Sequence, residues 1–189
     1  SEDFKTVDII LGKQKETPNG RGAYPDRYKI FTPELMQAIK RFTSAGGNVL
    51  MSGSYVGSDV WNNAKAGDAE KTFASAVLGY KLRASRACDK GQVMTVPTSF
   101  GALVDGRQAT FVQQLNSKMY AVESPDALMP ADDRGQTYMR YGENNKPAAV
   151  AVDCGTYRTV VMGFPLETVV EPGARDAIVG DVMRFLNKQ

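Results

Sequence analysis

The chain contains no histidine. That absence removes the commonest general base, the commonest metal ligand and the usual partner of a serine or cysteine nucleophile. Cysteine is scarce as well: Cys88 and Cys154 are the only two, far apart and without a C-x-x-C spacing, so no zinc or dithiol redox motif can be assembled. They could pair in an oxidising compartment, but two half-buried free thiols are the favoured reading. No apolar run approaches the roughly 20 residues that span a bilayer, and no membrane insertion is expected. Net charge is small, with 23 Lys and Arg against 21 Asp and Glu. So mixed a surface gives no electrostatic footprint for nucleic acid. No glycine-rich loop matches a phosphate cradle, no metal set can be built without histidine, and no cofactor is expected.

What is present is globular. The 189 residues are 42% hydrophobic and 23% charged, enough for one domain with its own core. The apolar run Val7-Asp8-Ile9-Ile10-Leu11-Gly12 reads as a buried parallel strand. Thr32-Pro33-Glu34 announces a helix with Thr as N-cap, Pro at the first helical position and an acid in the first turn. Leu35, Met36, Ile39 and Phe42 supply its apolar face, and Gly46-Gly47 ends it. Asn48-Val49-Leu50-Met51-Ser52 is the next strand, completing a βαβ unit. Helical character returns over 68–78, and β character over 80–87, 92–96 and 109–113. Residues 136–141 and 148–153 flank a turn and form a β-hairpin; 158–163 is one more strand. A closing helix over 173–187 carries Ile178, Val182 and Phe185 on one face. The pattern predicts an α/β, three-layer, mostly parallel sheet with an added β-hairpin. A doubly wound sheet would have a further βα unit before Val7, so a domain excised from a longer multidomain protein is expected.

The segment richest in chemistry is Gly53-Ser54-Tyr55-Val56-Gly57, directly after the buried strand. Two glycines four apart around a bulky residue fit a tight strand-to-helix elbow that exposes its central side chain. Here the sequence resembles the class I glutamine-amidotransferase-like (flavodoxin-like) family, whose Gly-x-Cys-x-Gly nucleophile motif lies over it with Tyr55 in place of Cys. Gly163-Phe164-Pro165-Leu166-Glu167 resembles the segment carrying that family's base, with Glu167 at the histidine position and Val169 at that of the triad acid. The resemblance implies a degenerate site, since a carboxylate facing a phenol cannot repeat thiolate chemistry. Leu11-Gly12, Gly46-Gly47, Ser52-Gly53-Ser54 and the late Gly-Phe-Pro-x-Glu are also similar to a subgroup in secreted bacterial multidomain proteins labelled putative xanthan lyase. That likeness implies a secreted or periplasmic setting, neighbouring domains as partners, and acidic polysaccharide as a further partner.

The candidate ligand-binding residues are Gln14, Ser54, Tyr55, Asp59, Trp61 and Glu167; no residue is assigned as catalytic. Tyr55 would stack on a sugar and Glu167 accept its hydroxyls; alternatively the elbow serves packing and Glu167 caps a helix or pairs with an arginine. Trp61 is either a sugar-stacking platform or a cover over the sheet's end. The stretch from 13 to 31, with Lys13, Gln14, Lys15, Arg21, Arg27, Lys29, Tyr24 and Tyr28, could grip an acidic glycan or be a solvated loop. Asp132, Asp133 and Glu143 read as turn residues. The leading expectation is a non-catalytic accessory or interaction domain. A polysaccharide lyase using Tyr55 with Arg83 or Arg86, and a sugar-binding module, are the alternatives.

Overall fold

The computed structural model describes residues 4–16 and 29–188. The first unit has the expected βαβ order, β1 (Thr6–Gly12), α1 (Pro33–Ser44) and β2 (Asn48–Gly53), with β1 and β2 parallel. But β1, expected to be buried, is an edge strand in which only Leu11 is buried. The Thr32 hydroxyl accepts from the Leu35 amide at 3.2 Å, satisfying one of the orphan donors of the first turn. Gly46 takes φ +86°, the left-handed geometry that ends α1. The short helix α2 (Ser58–Trp61) and α3 (Asp68–Ala76) follow, then strands β3 (Tyr80–Ala84), β4 (Gln92–Thr95), β5 (Gln108–Thr110) and β6 (Ala127–Pro130). The chain closes with β7 (Gly135–Tyr141), β8 (Pro147–Asp153), β9 (Arg158–Met162), a 3₁₀ turn (Leu166–Thr168) and α4 (Pro172–Leu186).

The sheet itself corrects the expected fold class. Its order is β1-β2-β9-β8-β7-β4-β5, and only β1–β2 and β2–β9 are parallel; the other four neighbouring pairs are antiparallel. It is a mixed sheet curled into a half-barrel, with few helices, and not a three-layer, mostly parallel flavodoxin-like domain. The β7–β8 hairpin is not an addition at the rim but the middle of the sheet. The physical reason lies in the connections. Only Cys154-Gly155-Thr156-Tyr157 joins β8 to β9, with Gly155 at φ +81°. A parallel crossover needs a dozen or more residues, so this link dictates an antiparallel pair. Strand β8 is antiparallel to both of its neighbours and β9 is parallel to β2 alone; both strands are apolar because both faces of the sheet are covered.

Alternation along the strands sorts two cores. Val49, Met51, Val150, Val152 and Val161 face α1, α3 and the small antiparallel sheet β3–β6. Leu50, Ala149, Ala151, Val160 and Met162 face the other way, against Ile178, Val182 and Phe185 of α4. Strand β6 and the second sheet were not anticipated.

Candidate functional site

Past Gly53 the chain turns through residues 54–57 into α2, at the carboxyl end of β2. Both glycines are demanded by space. A Cβ at Gly53 would lie 2.8 Å from the Leu11 Cβ, and one at Gly57 2.7 Å from Leu82 Cδ1. The elbow is pinned from several sides: the Ser54 amide donates to the Gly12 carbonyl at 2.9 Å, and the Tyr80 hydroxyl donates to the Val56 carbonyl at 2.6 Å. Asp126, fully buried, accepts from the Gly57 and Ser58 amides through Oδ2 at 2.8 and 2.6 Å. Burial pushes its carboxyl up to about 7 despite those two donors, and Oδ1 has no partner among the described residues.

Tyr55 is only 7% exposed, yet its ring forms part of an open pocket of about 440 Å³. The Lys15 ammonium stands 4.2 Å from the ring centroid, a cation–π contact. Arg86 lines the same pocket, is exposed, and holds φ +49°, a backbone region non-glycine residues seldom enter. Among the described residues neither Lys15 nor Arg86 has a carboxylate partner. Asn62, Asn63 and the hydroxyl-bearing Ser58, Ser85 and Ser124 add neutral donors and acceptors, and the Glu16–Lys65 ion pair lines the same pocket.

Asp59 also lines this pocket, but its oxygens are taken. It accepts from the Glu16 amide at 2.9 Å, the Ile30 amide at 3.0 Å and the Asn63 side chain at 3.3 Å. It therefore ties both described ends of the loop to α2, and burial raises its carboxyl above the ordinary range. Glu16 behaves oppositely: hydrogen bonding from Asn63 and the Lys65 ammonium 3.4 Å away hold it below its usual value.

The other sequence candidates do not converge here. Gln14 donates to the Lys29 carbonyl at 2.9 Å, holding the loop's base together. Ser54 is fully buried, and its hydroxyl has no partner among the described residues. Trp61 is half-buried and meets Tyr80 edge-on at 5.7 Å, so it covers the sheet's end rather than facing the pocket. Glu167 sits on the 3₁₀ turn, where Oε1 accepts from the Tyr120 hydroxyl. Its Oε2 is buried without a partner among the described residues, and a Cβ on Gly12 would stand 3.6 Å from Oε1. Arg83 is exposed on β3 and does not line the pocket. Of the basic loop, Lys13 pairs with Glu123 at 2.6 Å and Lys29 with Glu70 at 3.0 Å; Arg21, Tyr24, Arg27 and Tyr28 lie outside the described residues. Asp126 was missed; its signal was a lone acid after Ser124-Pro125 opening the apolar run Ala127-Leu128-Met129.

Comparison with known proteins removes the expected family. No protein-family model and no curated protein matches the chain. Three solved structures share the fold at low identity. The mmIFT52 N-terminal domain is 12% identical with a TM-score of 0.57, covering 98% of this chain and 78% of its own. The cytoplasmic protein STM1381 from Salmonella typhimurium LT2 is 14% identical with a TM-score of 0.54, covering 84% and 62%. The exo-β-1,4-mannosidase Op5Man5 from Opitutaceae bacterium strain TAV5 is 12% identical with a TM-score of 0.54; the match takes in 100% of this chain and 26% of the mannosidase. The amidotransferase-like resemblance is thus overturned by a mixed sheet with β-rich neighbours. The assignment of Tyr55 and Glu167 to triad positions rested on that resemblance and loses its support with it. The elbow motif that suggested one is explained by the close approach of Leu11 and Leu82 to its two glycines.

Proposed function

We propose that this domain is a non-catalytic accessory module of a polysaccharide-handling protein, and that its Tyr55 pocket binds an acidic sugar residue. The observation that carries the reading is the convergence of one aromatic ring with two cations, Lys15 and Arg86, that have no carboxylate partner among the described residues, in a pocket whose own acids are engaged, Glu16 by Lys65 and Asn63 and Asp59 by three donors. A sugar ring offers an apolar face for Tyr55 and hydroxyls for Asn62, Asn63 and the serines. A uronate carboxylate gives Arg86 the planar anion its fork suits. Asp59, the pocket's buried carboxylate, is engaged by three donors, which suits a structural acceptor rather than a proton carrier. The fold match that takes in about a quarter of an exo-β-1,4-mannosidase supports a role as one part of a carbohydrate-active chain.

Calorimetric titration with oligogalacturonate tests the reading. Tyr55→Phe keeps the stacking face and is expected to bind within about twofold of wild type, whereas Tyr55→Ala loses about 1–2 kcal/mol, roughly tenfold. In parallel, ultraviolet absorbance over the incubation should stay flat. A rising signal from unsaturated uronate, abolished in Tyr55→Phe, would contradict the proposal and make the pocket a lyase site.

A further inference from the structure

Among the described residues β1 pairs with β2 alone and is an edge of the sheet, and the strand contains no proline. The Asn48 amide donates to the Lys5 carbonyl at 2.8 Å, which fixes the alternation: Lys5, Val7 and Ile9 turn their backbone groups toward β2, and Thr6, Asp8 and Ile10 turn theirs outward. Natural edges are usually guarded by lysine, proline or a bulge, because such a row of donors and acceptors templates another strand. This edge carries part of that guard, with Lys5 just before it and a register irregularity between Ile10 and Gly12, yet exposed apolar groups stand beside its outward-facing backbone: Phe4 is 72% exposed and Ile10 60%. On one face, Phe4, Val7, Ile9, Leu35 and Phe42 line an apolar groove of about 480 Å³ between β1 and α1. On the opposite face, Asp8 lies close to Glu167, and burial together with that second carboxylate raises it above its ordinary range. Neither acid has a basic partner among the described residues.

The geometry points to β1 as a docking edge for an extended peptide segment that adds an eighth strand, with alternate apolar side chains in the α1 groove and a lysine or arginine opposite Asp8. Main-chain bonds to Thr6, Asp8 and Ile10 would supply affinity, and the alternating side chains selectivity. Charge decides between occupants. A second copy paired antiparallel and centred on Asp8 would set two aspartates directly opposite each other, which is destabilising. A cation there would instead face Asp8, which has no basic partner among the described residues. This edge is separate from the Tyr55 pocket and does not depend on what that pocket binds.

The test uses two synthetic six-residue peptides, acetyl-Thr-Ile-Lys-Ile-Thr-Ile-amide and its counterpart with Glu for Lys, added to the isotopically labelled chain. In the free protein the amides of Thr6, Asp8 and Ile10 should exchange rapidly with solvent. The Lys peptide is expected to protect them and to bind at least tenfold more tightly than the Glu peptide, and Asp8→Lys should invert that preference. Equal binding of both peptides, or shifts confined to residues away from β1, would overturn the proposal. So would slow exchange of those three amides in the free protein at low concentration. A concentration-dependent dimer that protects them without peptide would assign the edge to a second copy and likewise refute it.

Discussion

Asp126 concentrates more physical consequence than any other side chain near the pocket. Its unfolded carboxyl titrates near 3.8 and its folded one near 7. Between those values the folded chain retains a proton that the unfolded chain has lost. Stability should therefore fall as pH rises from about 4 to 7 and level off above that. Urea unfolding at pH 4.5 and 7.5 should show a loss from this residue of about 2–4 kcal/mol, at 1.36 kcal/mol per unit, which Asp126→Asn removes because the amide oxygen can still accept from Gly57 and Ser58. Gly163 is as tightly constrained: a Cβ there would sit 1.9 Å from the Asp126 carbonyl oxygen. Gly163→Ala should cost about 3 kcal/mol or more, since backbone must move. At Gly101 nothing lies within 4 Å of the added carbon. Gly101→Ala, as a control, should stay within about 0.5 kcal/mol in the same denaturation assay.

Among the elements, those with local signals were legible and those defined by partners were not. Thr32-Pro33-Glu34 and Gly46-Gly47 marked both ends of α1, and the Thr32 bond to the Leu35 amide is the cap that was expected. Thr32→Ala should lower stability by about 1 kcal/mol, readable as a drop in the thermal midpoint. Strands β1, β2 and β9, the β7–β8 hairpin and α4 were likewise visible as runs and periodicities. What failed was inference from strand character to sheet topology. The opening βαβ unit pointed to a mostly parallel sheet, whereas the four-residue link between β8 and β9 makes that pair antiparallel and carries the hairpin into the middle of the sheet. The pocket suffered similarly. The elbow pointed to Tyr55 and Asp59, but the burial of Ser54, the edge contact of Trp61 with Tyr80 and the Tyr120–Glu167 bond depend on distant segments that no local pattern reveals.

Taken whole, the molecule is a seven-stranded sheet with a core on each face, one of them shared with the small β3–β6 sheet, and this settles where its two thiols lie. Cys88 belongs to the core that includes α4, whereas Cys154 packs against the core on the α1 side, so the sheet separates them. Both are unbonded, and burial raises each thiol above its ordinary range. Thiol titration of denatured, unreduced protein should count two free groups, and in the native state Cys88 should react more slowly than Cys154. The same arrangement leaves the carboxyl ends of β1 and β2 free to carry the loop and elbow that build the pocket. Its central claim is most directly tested by titrating wild type and Arg86→Ala with oligogalacturonate and with a neutral oligosaccharide of equal length. The account predicts that wild type prefers the acidic ligand, and that Arg86→Ala loses tenfold or more for it while leaving the neutral one unchanged. Equal affinities for the two ligands, or an acidic-ligand affinity indifferent to Arg86, would contradict it.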